Sequence, residues 1–226
     1  MQITNIQRNI LSSENISLES SVQEYSKKSF DKLITDETNF NLQESNLRTL
    51  DFQELKEIKL ELEKSNKLYS LGLDFNASSL LEATTLTNDV NFNKSLVETM
   101  QTKESPFFYL METKHNMEYS EGRREYPWPT LSVEEAQGNY SPLTNEEIKN
   151  INIAKFLETI ISAYEELLSN LPHYYDREET KQSLEDLKEI KQNYQKLQDE
   201  QNSLLDSFIK NNRPNPLESF HNNTKI

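Results

Sequence analysis

The last third of the chain carries the pattern that decides the fold. Residues 187–208 read LKEIKQNYQKLQDEQNSLLDSF, and their apolar side chains recur at spacings of three and four. This spacing places them in one stripe along an α-helix, and such a heptad stripe packs against another helix. We call this stripe the heptad seam. Its members are Leu187, Ile190, Tyr194, Leu197, Gln201, Leu204 and Phe208.

A second stripe with the same spacing precedes the seam. Pro172 separates the two stripes, and a proline at this place ends a helix. Two amphipathic helices joined by a short turn predict an antiparallel hairpin. Thr144 and Glu147 have the spacing of a capping box just ahead of it. The upstream stripe consists of Ile153, Leu157, Ile160, Tyr164, Leu167 and Leu171.

The rest of the composition also favours helices. The 226 residues include only three glycines, Gly72, Gly122 and Gly138, and no two of them are close together. Phosphate-binding loops need clustered glycines, so P-loop and dinucleotide-binding enzymes are excluded. Runs of β-branched apolar residues, which are typical of parallel sheets, are absent too. We therefore predict an all-α helical bundle with a C-terminal antiparallel helical hairpin.

The middle of the chain differs from its surroundings. It holds four of the seven prolines, two of the three glycines and the only tryptophan. Because prolines and glycines interrupt helices, we predict an irregular aromatic and proline-rich segment there. The predicted organisation is a flexible leader (1–16), an N-terminal helical region (17–104), the irregular segment (105–143), the hairpin (144–210) and a disordered tail (211–226).

Charge limits the kinds of partner. The chain has 24 basic and 38 acidic residues, which gives a net charge of −14. Such a chain repels phosphate backbones, so no nucleic acid is expected as a partner. No apolar run approaches the roughly 18–20 residues of a membrane span, so no integral membrane segment is expected.

The inventory of reactive side chains is poor. The chain has three histidines and no cysteine, and no serine lies in a Gly-x-Ser-x-Gly turn. We expect a protein that is not an enzyme and that has no cofactor. The pairs Glu112–His115 and Glu218–His221 have the Glu-x-x-His spacing of di-iron bundles, which makes a helical-bundle metal protein the alternative. Such a site also needs a glutamate from each of two further helices, and coincidence is the reading we prefer.

Two surfaces are candidates for binding a protein partner. One is the segment around Trp128, with Arg123, Arg124 and Tyr126, because Trp, Tyr and Arg dominate binding hot spots. Its alternative role is to close the top of the helical core. The other is the heptad seam, which either packs within the chain or meets a partner helix or a second copy. Its candidate contact residues are Leu187, Tyr194, Leu197 and Leu204.

These features predict a non-catalytic bacterial protein that acts through protein–protein interaction. One version is an exported accessory protein of a flagellar or type III system. Its leader is rich in Ser, Asn, Gln and Ile and has no acidic residue before Glu14, a composition that resembles type III export signals. The alternative is a cytosolic acidic chaperone or scaffold. The location expected is therefore the cytoplasm, or export without a cleavable signal peptide.

Overall fold

The protein is mainly helical in the regions that the computed structural model describes, which are residues 44–65, 73–130, 132, 136–170 and 176–211. These ranges contain eight α-helices and no strand, which confirms the all-α prediction. The helices are α1 (Glu44–Leu47), α2 (Phe52–Lys64), α3 (Phe75–Ala83), α4 (Val90–Gln101), α5 (Pro106–Ser120), α6 (Asn145–Lys149), α7 (Ile153–Ser169) and α8 (Arg177–Asn211). None of them combines the length and the apolarity needed to cross a bilayer.

Helices α2 to α8 begin at short polar side chains that accept the first free backbone N–H groups. The predicted capping box is present: the Glu147 N–H donates to Thr144 Oγ1 at 3.2 Å, and the Thr144 N–H donates to Glu147 Oε2 at 2.8 Å. The hydrogen bonds that the Thr144 N–H and the Thr144 hydroxyl donate to the Glu147 carboxylate lower the pKa of Glu147. The box starts the short helix α6, and Asn152 caps α7 separately.

Replacing Thr144 by alanine is expected to lower the free energy of unfolding by about 1 kcal/mol, because the Glu147 N–H loses its acceptor. Thr144→Ser keeps a hydroxyl at the cap and should stay close to wild type. Chemical denaturation of the three proteins measures the difference. Equal stability of the alanine and serine variants would contradict this role of the box.

Helices α7 and α8 form the predicted antiparallel hairpin, and they are in direct contact. Near the turn, the Arg177 guanidinium donates to the Leu168 carbonyl at 3.3 Å. Further along, Lys188 pairs with Glu165 at 2.7 Å. At about 1.5 Å per residue, the 35 residues of α8 span about 52 Å, which makes it much longer than α7.

Helix α4 joins the N-terminal helices to this hairpin by packing antiparallel to α8. Lys103, just after α4, pairs with Asp186 at 2.5 Å. At the other end of α4, the Tyr194 hydroxyl donates to the capping carboxylate of Asp89 at 2.9 Å. Burial, together with the Asp89 carboxylate, raises the pKa of Tyr194 to about 12.

One continuous hydrophobic core connects the helices. Phe92 of α4 meets Phe156 of α7 edge to face, with ring centroids 5.9 Å apart. Helix α5 lies against both α3 and α7, and α2 also packs against α3. The predicted N-terminal region and the hairpin therefore share one core in the part of the chain that is described.

The prediction of an irregular segment is wrong for residues 106–120, which form α5. The helix begins with Pro106 in its first turn, capped by the Ser105 hydroxyl. A proline in the first turn costs no hydrogen bond, because that N–H has no partner inside the helix. The predicted leader lies outside the described residues. So do the first part of the N-terminal region and residues 212–226, while Asn211 ends α8.

Candidate functional site

The irregular chain after α5 folds back onto the bundle at Trp128. We call residues 121–130 the Trp128 loop. The Trp128 N–H donates to Asn116 Oδ1 at 3.0 Å, and its carbonyl accepts from the Tyr164 hydroxyl at 3.1 Å. The half-buried indole meets the His115 ring edge to face at 5.5 Å. Trp128 is thus held between α5 and α7 by hydrogen bonds of its backbone.

The other predicted contact residues of this loop are divided between its two sides. Arg124 turns inward: it pairs with the buried Glu118, and its guanidinium lies 4.3 Å from the Tyr140 ring. Arg123 turns outward and pairs with Glu147 at 2.8 Å. Tyr126 has an exposed side chain. Of these predicted contacts, Arg123 and Tyr126 are on the surface.

Beneath the Trp128 loop lies a polar cluster that sequence reasoning did not identify as a site. Glu112 Oε1 accepts a hydrogen bond from the Tyr164 hydroxyl at 3.1 Å, and the Ser183 hydroxyl is also bonded to this carboxyl group. Burial raises the pKa of Glu112, and the carboxylates of Asp186 and Glu179 act in the same direction. The signal in the sequence was one glutamate among apolar and aromatic residues of a helix, and only the packing of the helices makes it a half-buried group.

A cavity of about 150 Å³ opens next to this cluster. Its walls are aromatic on one side and polar on the other, where α8 begins. They are formed by Trp128, Pro129, Tyr164, Asp176, Glu179, Thr180 and Ser183.

The first Glu-x-x-His pair does not converge on a common point. His115 Nε2 donates to the Tyr126 carbonyl at 3.1 Å, whereas Glu112 is bonded to Tyr164 and Ser183. In the described part of the chain, no three His, Cys, Asp or Glu side chains are grouped so that they could hold a metal ion. Glu218 and His221 lie outside the described residues.

The heptad seam is buried in its first half and exposed in its second. Leu187 and Tyr194 are only 7% and 6% exposed, because they belong to the core shared with α4 and α7. They are therefore not available as surface contacts, which corrects their assignment to a partner interface. Leu197 is half-buried, and Leu204 is 73% exposed.

The exposed half of the seam belongs to a wider apolar surface near the end of α8. Leu204, Leu205, Phe208 and Ile209 are each between 43% and 73% exposed. We call these four residues the distal face of α8. Gln201 marks its beginning, because its amide oxygen accepts a hydrogen bond from Asn91 at the start of α4. Beyond Gln201, α8 extends past the N-terminal end of α4.

A second group of exposed apolar side chains lies where α3 and α5 begin. The rings of Phe75 and Phe107 are 5.2 Å apart, and those of Phe107 and Phe108 are 5.4 Å apart. Phe75 and Phe108 are 76% and 60% exposed. The sequence signal was the position of Phe75 and Phe107 directly behind the capping region of a helix.

Comparisons with family models, with curated proteins and with solved structures gave no match for this chain. Its function must therefore be inferred from its own residues.

Proposed function

We propose that this is a non-catalytic protein that acts by binding another protein, and that the distal face of α8 is its contact surface. The observation that supports this proposal is the exposure of four large apolar side chains on the last three turns of one helix. Contiguous apolar side chains on a protein surface mark interaction sites more often than isolated ones do.

The geometry of the distal face favours a helix as the partner element. The face continues the spacing of the heptad seam, whose first half already packs against α4. A stripe of this kind is matched by the apolar stripe of a second helix.

Charge favours a different protein over a second copy of this chain. Asp199, Glu200 and Asp206 surround the distal face, and Lys210 is the one basic residue between positions 199 and 211. Two copies that each carry a net charge of −14 repel each other. We therefore propose a partner helix in which basic residues flank the apolar stripe.

A photo-crosslinking amino acid at Leu205 tests this contact in cells of the source organism. The matched control places the same amino acid at Asn202, an exposed polar residue on the same helix. We expect a crosslinked product of one defined mass from position 205 and much less from position 202. A product of twice the chain mass would identify a second copy and contradict the proposed partner.

Purified components then measure the contribution of the face to affinity. Leu204→Asp with Leu205→Asp is expected to weaken binding of the crosslinked partner at least tenfold, about 1.4 kcal/mol. Asn202→Asp with Ser203→Asp adds the same two charges beside the face and should change affinity by less than about twofold. Equal affinity of all three proteins, with helicity unchanged, would exclude this surface.

The two versions of the function make different predictions about the partner. A crosslinked component of a secretion or flagellar apparatus would support the exported accessory protein. A single client protein would support the chaperone or scaffold. Arg123 and Tyr126 stay predicted contacts, and the same crosslinking at position 126 tests them.

A further inference from the structure

The Tyr164 hydroxyl faces two acceptors but has one proton. It lies 3.1 Å from Glu112 Oε1 and 3.1 Å from the Trp128 carbonyl oxygen. Asn116 Nδ2 donates to the same hydroxyl at 3.3 Å. A phenol donates one hydrogen bond at a time, so an ionised Glu112 competes with the Trp128 carbonyl for it.

A neutral Glu112 removes this competition. Its own O–H donates to the Tyr164 oxygen, and the Tyr164 proton is then free to bond the Trp128 carbonyl. Asn116 continues to donate to Tyr164 through Nδ2 and to accept from the Trp128 N–H through Oδ1. The Tyr164 hydroxyl, the Asn116 amide and the Trp128 N–H and carbonyl then all have hydrogen-bond partners, which buried polar groups require.

We propose that Tyr164 is a proton-controlled latch for the Trp128 loop. With Glu112 neutral, the Tyr164 hydroxyl holds the Trp128 carbonyl, and the loop stays on the bundle. With Glu112 ionised, the hydroxyl turns to the carboxylate, because a hydrogen bond to a charged acceptor is the stronger one. The Trp128 carbonyl then loses its partner, and the loop loosens.

The surroundings of Glu112 favour its neutral form. From α8, the carboxylates of Glu179 and Asp186 face it, and burial at the junction of α5, α7 and α8 raises its pKa. Lys103, just after α4, is paired with Asp186 at 2.5 Å. Tyr109, on the same helix as Glu112, stays neutral because burial raises its own pKa well above 10.

The remaining neighbours do not reverse this balance. On the loop side, His115 is bonded to the Tyr126 carbonyl and packs against the Trp128 ring. The hydroxyl groups of Ser183 and Tyr164 lower the pKa of Glu112, but burial is the larger effect.

The direction of the pH effect follows from the raised pKa. The folded protein holds the Glu112 proton more tightly than the unfolded chain does. The stabilisation of the folded state by this bound proton is complete below pH 4.5, the ordinary pKa of a glutamate. It is lost as the pH rises through the pKa that Glu112 has in the folded protein. The latch is therefore closed at low pH and opens as the pH increases.

Trp128 is the only tryptophan of the chain, so its fluorescence reports on the loop alone. Acrylamide quenching is measured on the full chain from pH 4.5 upwards. In the wild type we expect quenching to increase in a single step. Glu112→Gln, which is always neutral and has nearly the same shape, should lose this step and keep the low-pH quenching throughout.

Two further variants separate the latch from other titrating groups. Tyr164→Phe removes the hydroxyl and should show the high level of quenching at every pH, without the step. Glu166→Gln removes an exposed carboxylate of α7 and should behave as the wild type. Absence of the step in the wild type, or its persistence in Glu112→Gln, would overturn the proposal, and neither result depends on the folding of Tyr164→Phe.

Discussion

Arg124→Met is expected to lower the free energy of unfolding by about 3–5 kcal/mol, the cost of leaving one member of a buried ion pair without the other. The side chains of Arg124 and Glu118 are only 10% and 9% exposed. Glu118 also accepts from the Leu143 N–H at 3.3 Å, and Arg124 Nη2 donates to the Tyr140 hydroxyl at 2.7 Å. The variant therefore leaves the buried Glu118 carboxylate without its cation. It also removes the hydrogen bond to Tyr140, which lies in the chain between α5 and α6.

The neighbouring arginine is a matched control. Arg123 pairs with Glu147, but these side chains are 38% and 43% exposed. Arg123→Met should therefore cost only about 0.2–1 kcal/mol. Urea denaturation near neutral pH measures both variants. Equal losses of unfolding free energy for the two arginine variants would show that the buried Arg124–Glu118 pair stabilises the fold no more than the exposed Arg123–Glu147 pair does.

A double variant tests the physical reason. Arg124→Met combined with Glu118→Gln removes the buried negative charge as well as its partner. Much of the stability lost in Arg124→Met should return, because the larger part of its cost is an unpaired charge. A double variant less stable than Arg124→Met would mean that packing of the guanidinium on Tyr140 dominates.

Asn93→Leu is the second change with a large expected effect, and it should lower the free energy of unfolding by about 3–5 kcal/mol. Each buried polar group left without a partner costs about 1–3 kcal/mol, and this change leaves the Thr87 N–H and the Thr87 carbonyl without theirs. Asn93 is 2% exposed, and its amide bonds Thr87 on both sides. Nδ2 donates to the Thr87 carbonyl at 2.8 Å, and Oδ1 accepts from the Thr87 N–H at 3.0 Å. The Asn93 side chain thus supplies hydrogen-bond partners for the Thr87 backbone and thereby stabilises the turn between α3 and α4.

Asn91→Leu is the matched control for this prediction. Asn91 lies on the same helix, and its amide bonds Gln201 at the surface. Its replacement should change stability by no more than about 0.5 kcal/mol. Thermal and urea denaturation compare the two variants. A loss for Asn93→Leu as small as that for Asn91→Leu would show that the turn is held by other contacts.

Much of the helical architecture can be predicted from local sequence. The spacing of apolar residues predicts α7 and α8, and Thr144 with Glu147 predicts the start of α6, because helices depend on contacts three and four residues apart. Asp176 caps α8 in the same way, accepting from the Glu179 N–H at 2.9 Å. The error over α5 arose from counting Pro106 as a helix breaker, although its place after Ser105 made it a helix start.

The burial of the heptad seam was decided by tertiary structure. The spacing is the same at Tyr194 and at Leu204, yet one is 6% exposed and the other 73%. The difference arises because α4 begins at Val90 and covers α8 only as far as Gln201. No local pattern contains the relative lengths of two helices that are far apart in the chain.

The sequence by itself therefore determined the all-α class, the hairpin of α7 and α8 and the negative net charge, since these follow from composition and from neighbours within one or two turns. Only the tertiary structure decided which apolar residues remain exposed on α8 and which arginine is buried. It also decided that Glu112, Tyr164 and Trp128 meet at one point. This last meeting depends on contacts between residues 36 and 52 positions apart, and such contacts exist only once the helices have packed.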